Sequence, residues 1–320
     1  MRGLATTVVL SLLAFAASCL PQTVDAAAIE GRAAAVPDFS APGPYEVEVL
    51  REAGCCDGKD HPFDYYLPVR GAADARLPLL VWGNGSWASP EKYDYVLRHI
   101  ASWGFAVVVS HDNRAADGQS LLDAVEHALA AAGETDSPLA GRIDSGRIGV
   151  AGHSQGAGGA MNALMAMDGR LRTAIAVNLP SQKLCSAGDC ERIPLDMPAG
   201  TGVLLVTGSK DGISPPDQAG PTDPPHQSAR AYYDAVPPGR AKVMGALVGA
   251  DHNDIQGQPE CPWLSLGCER GAAGYVGYLV AWLAWQLQDD AKAGPAYFGQ
   301  GDGRMFLDGD WSDVASDIGR

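Results

Sequence analysis

Ile148-Gly149-Val150-Ala151-Gly152-His153-Ser154-Gln155-Gly156-Ala157-Gly158-Gly159-Ala160-Met161 is the stretch on which the reading of this chain turns. Its first four residues form a short apolar run, as expected of a strand buried on both faces. Its last five are small and open a helix. Between them stands G-x-S-x-G, which needs this strand–turn–helix context to carry weight, because a chain with 39 glycines can match such a pattern by chance. In that context the turn is so tight that glycines must flank Ser154, since side chains there would strike the neighbouring strand and helix. The hydroxyl is then held at the carboxyl edge of a sheet, beside the positive end of a helix. The competing reading is a plain strand-to-helix turn with an exposed serine.

The same rhythm runs outward in both directions. Tyr45 to Leu50 alternates like a strand, and Phe63 to Leu67 is a second. Leu79 to Trp82, Phe105 to Val109, Ala174 to Leu179, Val203 to Thr207 and Lys242 to Leu247 read as further strands. Pro90 to Trp103, Gln119 to Ala132, Gln155 to Met167, Ala229 to Ala235 and Ala272 to Leu287 read as helices between or after them. Alternating strands and helices predict an α/β domain with a mostly parallel central sheet and helices on both faces.

A serine hydroxyl needs a base to take its proton. In this architecture the order is serine, then acid, then histidine, so the base follows Ser154. Only His226 and His252 do so. His226 lies in a proline-rich loop before a helix. His252 follows the last strand and the turn Val248-Gly249-Ala250-Asp251, which puts it over the carboxyl edge, so His252 is favoured. Asp211, in the loop after Val203–Thr207, is the acid expected to fix the imidazole tautomer and stabilise the imidazolium. Asp217 and Asp223 lie farther from the strand end, and Asp251 should point away from its neighbour. His111 and His153 precede the serine and read as local hydrogen-bonding groups.

Acyl transfer also needs backbone N–H groups for the developing oxyanion. Gln155 should give one. Ser86, with Gly85 as the alternative, should give the other from Gly83-Asn84-Gly85-Ser86-Trp87. Trp87 and Leu179 are candidate pocket residues, Trp87 having a packed loop aromatic as its equal alternative. Only about twenty residues separate the strands ending at Leu179 and beginning at Val203, which leaves no room for a large lid.

The chain has 320 residues, 46% hydrophobic and 19% charged, enough for a sizeable core. A net charge of −15 argues against nucleic acid and against an anionic membrane surface as partners. Arg2, the apolar run Leu4–Ala17 and Val24-Asp25-Ala26 read as a signal peptide over residues 1–26. Ala16-Ala17-Ser18-Cys19 is an imperfect lipobox, so a secreted or periplasmic location is expected with lipid anchoring through Cys19 as the variant. Residues 27–43 read as a linker, 44–290 as the domain, and 291–320 as a polar tail whose aspartates (Asp302, Asp308, Asp310, Asp313) lack EF-hand spacing and read as solvated.

Six cysteines remain after Cys19, an even number that suits disulfides in an exported protein. Cys185 with Cys190 and Cys261 with Cys268 are the simplest closures, leaving Cys55 and Cys56 for a vicinal bridge or other partners. No C-x-x-C and no histidine pair at ligand spacing supports zinc. No metal and no cofactor is expected. No apolar run after the leader is long enough for an integral membrane segment.

Leu79-Leu80-Val81-Trp82-Gly83-Asn84-Gly85, Ile100-Ala101-Ser102-Trp103-Gly104-Phe105, Gly152-His153-Ser154-Gln155-Gly156, Asp211-Gly212-Ile213-Ser214-Pro215 and Asp251-His252 carry a family likeness. Over roughly residues 45–300 the chain resembles the dienelactone-hydrolase-like α/β hydrolases, the group with bacterial cutinases and polyester hydrolases, chlorophyllases and platelet-activating-factor acetylhydrolases. The resemblance implies the α/β-hydrolase fold and metal-free, cutinase-like ester hydrolysis by the serine, aspartate and histidine already chosen. Val177-Asn178-Leu179-Pro180-Ser181 departs from it: the polyester hydrolases carry a substrate-clamping tryptophan here, and its absence weakens the expectation of activity on aromatic polyesters. The cysteine-rich segments depart as well.

The expected function is therefore a serine esterase acting as a monomer on small or polymeric esters. An amidase or peptidase with the same three residues is one alternative, and a non-catalytic binding module on this fold is another.

Overall fold

Side chains on successive strand residues point to opposite faces, and here both faces are apolar. In the computed structural model, which describes residues 36–69, 76–167, 169–181, 184, 195–217, 228–264 and 266–319, this produces one sheet with two cores. Its strands are β1 (Val47–Gly54), β2 (Phe63–Pro68), β3 (Leu77–Gly83), β4 (Ala106–Ser110), β5 (Ile143–His153), β6 (Thr173–Val177), β7 (Gly202–Gly208), β8 (Ala241–Leu247) and β9 (Trp311–Asp317). They lie in the order β1-β2-β4-β3-β5-β6-β7-β8-β9. The central pairs are parallel, while β1, β2 and β9 run antiparallel to their neighbours. This is the α/β-hydrolase fold that the sequence predicts.

The helices are α1 (Asp94–Ser102), α2 (Gln119–Ala131), α3 (Gln155–Ala166), α4 (Ala229–Ala235), α5 (Ala273–Leu287), α6 (Ala293–Phe298) and α7 (Arg304–Leu307). Leu80, Trp82, Val107, Val109, Ile175, Val177, Leu204 and Val206 face one way and pack on α1 and α5. Leu79, Val81, Ala106, Val108, Ala174, Ala176, Val203 and Leu205 face the other way, onto α2, α3 and α4. The apolar runs of the central strands are thus continuous because both faces need them. Helix α5 is apolar nearly all round because the sheet, α1 and α6 cover it together. No helix among the described residues is long and apolar enough to cross a membrane.

From β3 the chain winds to β4 on one side, then returns to β5 on the other. The loops leaving β3 and β5 therefore part to opposite faces, and open α/β sheets form a crevice at such a reversal. Ser86 follows β3 and Ser154 follows β5.

Three expectations need correction. Residues 291–320 are not a solvated polar tail. They form α6, α7 and β9, and they bury Tyr297, Phe298, Met305 and Trp311. Asp308 accepts a hydrogen bond from Tyr278 Oη at 2.6 Å, and Asp310 pairs with Arg270 at 3.0 Å, so these carboxylates fasten the segment. The end of the supposed linker is also packed: Phe39 is buried, edge-on to Trp103 with ring centroids 4.8 Å apart. The helix read from Pro90 begins as a 3-10 turn over Pro90–Tyr93 and becomes α-helical only at Asp94. The leader with Cys19, Cys185, Cys190, and His226 lie outside the described residues.

Candidate active site

The turn after β5 is as tight as its glycines suggested. A Cβ on Gly152 would sit 2.2 Å from the Gly156 carbonyl oxygen, and one on Gly156 would sit 2.2 Å from that of Gly83. Ser154 itself takes φ 55° and ψ −126°, a strained conformation for a residue with a side chain. Its N–H is held by the Val177 carbonyl of β6 at 2.9 Å. The strain turns the hydroxyl up to the head of α3.

His252 reaches this hydroxyl from the loop after β8. Its Nε2 lies 2.9 Å from Ser154 Oγ, and its Nδ1 lies 2.8 Å from Asp211 Oδ2. Asp211 comes from the loop after β7 and is buried. Its Oδ2 also accepts from Asn178 Nδ2 at 2.6 Å, and its Oδ1 accepts from the N–H groups of Ile213 and Ser214 at 2.8 and 2.9 Å. Burial by itself would push this carboxyl up. The hydrogen bonds from His252, Asn178 and the Ser214 amide outweigh it and hold Asp211 below the ordinary carboxylate value. An anion is therefore fixed behind the imidazole, and His252 Nδ1 must carry its proton to meet it. That leaves Nε2 as the acceptor facing the serine.

Asn178 was not singled out from sequence. It sits just past β6 with φ 53°, and its N–H donates to Val206 at 2.7 Å while its carbonyl accepts from Ser214 Oγ at 2.6 Å. It ties the acid loop to β6. Asn at a left-handed position is a recognisable signal, but its partner is 33 residues away.

His153 is buried beneath the serine. Its Nε2 faces the His252 carbonyl oxygen at 2.8 Å, so that nitrogen bears the proton, and its Nδ1 lies 2.9 Å from Tyr93 Oη. Tyr93 Oη in turn accepts from the Gly85 N–H at 2.9 Å. Burial, reinforced by the neighbouring His252, pushes the His153 pKa down to about 3, so the ring is neutral. A chain of hydrogen bonds thus joins the loop after β3 to the backbone of His252. The sequence reading of His153 as a local structural group is too narrow, since the ring spans two loops. His111 likewise reaches beyond its own loop, bonding Asp64 of β2 at 2.7 Å.

The Gly85 N–H, held as the alternative oxyanion donor, is thus occupied by Tyr93. The next amide, Ser86, belongs to a residue on the cleft wall, as does Gln155. As the first residue of α3, Gln155 has no helical carbonyl to meet its N–H. The imidazole takes Asp211 and not Asp251 as its partner, and Asp251 Oδ1 accepts the His252 backbone N–H at 2.7 Å.

A cleft of about 360 Å³ opens over Ser154. Pro180, Leu184, Ile213 and Ala116 give it apolar walls, and Asn253 and Gln256 add amides. Neither pocket residue expected from sequence lines it. Leu179 is turned into the core, because the positive φ of Asn178 breaks the strand alternation and presents Pro180 instead. Trp87, also at positive φ (61°), is 71% exposed with the Arg114 guanidinium over its ring at 5.5 Å.

Two disulfides are present among the described residues, Cys55–Cys56 and Cys261–Cys268. Two acidic groupings could hold a cation by distance alone: Asp57, His61 and Asp112, and Asp254 beside the second disulfide. In the first, Lys59 Nζ already lies 3.0 Å from Asp112. In the second, Asp254 accepts four backbone N–H groups, from Asp251, Glu269, Arg270 and Gly271. Both carboxylates have ordinary partners.

Comparison with known proteins agrees with the architecture. Residues 41–188 match the family described as PET hydrolase-like. A bis(hydroxyethyl) terephthalate hydrolase of Streptomyces coelicolor is 33% identical over 103 residues, 31% of each chain, so the likeness spans about a third of that relative. The likeness read from sequence therefore stands: the chain has the α/β-hydrolase fold and is similar to the polyester hydrolases.

Proposed function

We propose that this protein is an exported serine hydrolase of carboxylic esters, with a cutinase- or polyesterase-like substrate range. The observation that carries the reading is the unbroken relay Asp211–His252–Ser154, with links of 2.8 and 2.9 Å, at the floor of an open cleft. The PET hydrolase-like match and the terephthalate-ester hydrolase relative support an ester as the substrate. The leader and the even cysteine count support export.

In this reading Ser154 Oγ attacks the ester carbonyl carbon as His252 Nε2 takes its proton. The carbonyl oxygen becomes an oxyanion and is met by the N–H groups of Gln155 and Ser86. Collapse of the tetrahedral intermediate breaks the bond to the alcohol oxygen, which leaves with the proton from His252. Water then attacks the acyl-enzyme, again giving its proton to His252, and the acid departs from a regenerated Ser154. Asp211 stays ionised throughout and steadies the imidazolium. The apolar walls at Pro180, Leu184 and Ile213 would receive the acyl or alcohol chain.

The test is a set of p-nitrophenyl esters of rising chain length, each paired with the matching anilide, and a fluorophosphonate probe. Turnover of esters well above anilides is expected, with the probe on Ser154 and no label on Ser154→Ala. Faster anilide cleavage would favour an amidase. Absence of both turnover and label would favour a binding module.

A further inference from the structure

Most large apolar side chains of this protein are buried, but three in one short loop are bare. Trp263 is 94%, Leu264 85% and Leu266 91% exposed, the most exposed large apolar residues described. Exposed apolar residues scattered singly need no explanation, whereas a cluster of this kind does. The loop is closed at its base by Cys261–Cys268, seven residues apart, with Cα atoms 5.6 Å apart. The buried Asp254 anchors the returning strand of the loop through the N–H groups of Glu269, Arg270 and Gly271. The base of the loop is thus held in a fixed place, which lowers the cost of ordering the tip on contact.

That place adjoins the cleft. Asn253, which lines the cleft next to His252, donates its backbone N–H to Gly267 at 2.6 Å and its side-chain Nδ2 to Leu266 at 3.1 Å. Two other exposed apolar residues, Leu184 and Ile213, stand on the cleft walls. The described tip residues carry no charge, and the nearby Arg270 is engaged by Asp310. With a net charge of −15 on the whole chain, an anionic surface is repelled. What fits bare apolar side chains beside an ester-cleaving cleft is a surface that is apolar, uncharged and itself made of esters.

We infer that Trp263, Leu264 and Leu266 form a docking element that seats the protein on the surface of a condensed, uncharged polyester, with the cleft mouth against the polymer. This rests on the ester hydrolysis proposed above. Contact removes the three side chains from water, and the indole ring suits a boundary between wet and apolar phases. Chemistry and adsorption then reside in different residues and are separable.

The test is the variant Trp263→Ser/Leu264→Ser/Leu266→Ser, with Trp263→Ala as a milder companion. On a soluble short-chain p-nitrophenyl ester both should turn over within about twofold of the parent, since neither change touches the cleft. Adsorption isotherms on an amorphous aliphatic polyester film, measured in a Ser154→Ala background to prevent erosion, should show the triple variant partitioning roughly tenfold or more weakly. Trp263→Ala should fall between. Product release from the film should fall with the adsorbed amount. Unchanged adsorption overturns the inference. So does loop-dependent binding to phosphatidylcholine vesicles without loss on the film, which would assign the loop to lipid. A parent that sediments as a dimer, dispersed by the triple variant, overturns it too, by assigning the tip to a second copy. Failure of the hydrolysis reading looks different: the parent would leave the soluble ester intact while the adsorption difference persisted.

Discussion

The turn at Ser154 meets His252 and the loop at Trp263 is tied to the next residue, Asn253, yet they are built on opposite terms. Around Ser154 the backbone is strained, glycines are compressed against carbonyls, and Asp211 is wrapped in four hydrogen bonds. Ser154, His252 and Asp211 are each less than one tenth exposed. Around Trp263 no described apolar side chain is covered, and order comes from a disulfide and one buried carboxylate at the base. Groups that must handle a moving proton and a developing charge are held in advance by a rigid polar shell. Groups that must meet a featureless surface need position and exposure, and little else.

If that division is right, damage to the first region should abolish turnover and spare adsorption. Ser154→Ala is expected to lower ester turnover by about 10⁴-fold or more while keeping the folded stability of the parent. Residual turnover near the parent level, measured with active-site titration, would remove the contrast altogether. Asp211→Asn should cost about 10³- to 10⁴-fold in kcat with KM little changed, because the imidazole loses its counter-charge and tautomer. A change confined to KM would mean that Asp211 serves the cleft shape rather than the proton.

Opening the second region tests its independence. Cys261→Ser with Cys268→Ser should lower unfolding free energy by about 2 kcal/mol in a denaturant titration and weaken film adsorption, with soluble-ester turnover preserved. Loss of turnover in step with adsorption would show the two regions to be one.

An effect confined to acid pH concerns the neutral ring under the serine. His153 in the folded protein takes up its proton only near pH 3, against an ordinary value of 6.5. As pH falls below 6.5 the unfolded chain binds a proton that the folded one refuses, so stability declines by up to about 1.4 kcal/mol per pH unit from this group. The contribution is fully present above pH 6.5 and lost on the way down to about 3. His153→Gln, which cannot titrate, should flatten the dependence between pH 6.5 and 5. An unaltered slope in that variant would assign the acid sensitivity elsewhere.

Much of this was legible in the sequence, for identifiable reasons. Strands covered on both faces are continuous apolar runs, so β3 to β8 announce themselves. The glycines around Ser154 mark a turn that admits no side chains. His252 and Asp211 follow strand ends, so topology alone brings them to the serine's edge. What escaped depends on local departures from regular geometry. The positive φ of Asn178 reverses which of Leu179 and Pro180 faces the cleft. The wire from Gly85 through Tyr93 and His153 joins residues about sixty positions apart. In residues 291–320 the buried aromatics are diluted by glycine and aspartate, and the alternation of β9 is too polar to read as a strand from sequence.

The outermost strand has its own bearing on life at a surface. β9 pairs with β8 on one side, and among the described residues no strand pairs with its other side, a rim of the sheet. Asp313 and Asp317 stand exposed along it, with an irregular register where the strand crosses Met244 to Ala246. Molecules adsorbed side by side on a polymer would approach rim to rim at high local density, the situation in which sheets fuse across chains. Negative charge and a broken hydrogen-bonding pattern on that rim discourage such fusion. A coating of this protein should accordingly remain a layer of separate molecules, able to leave the spot they have eroded.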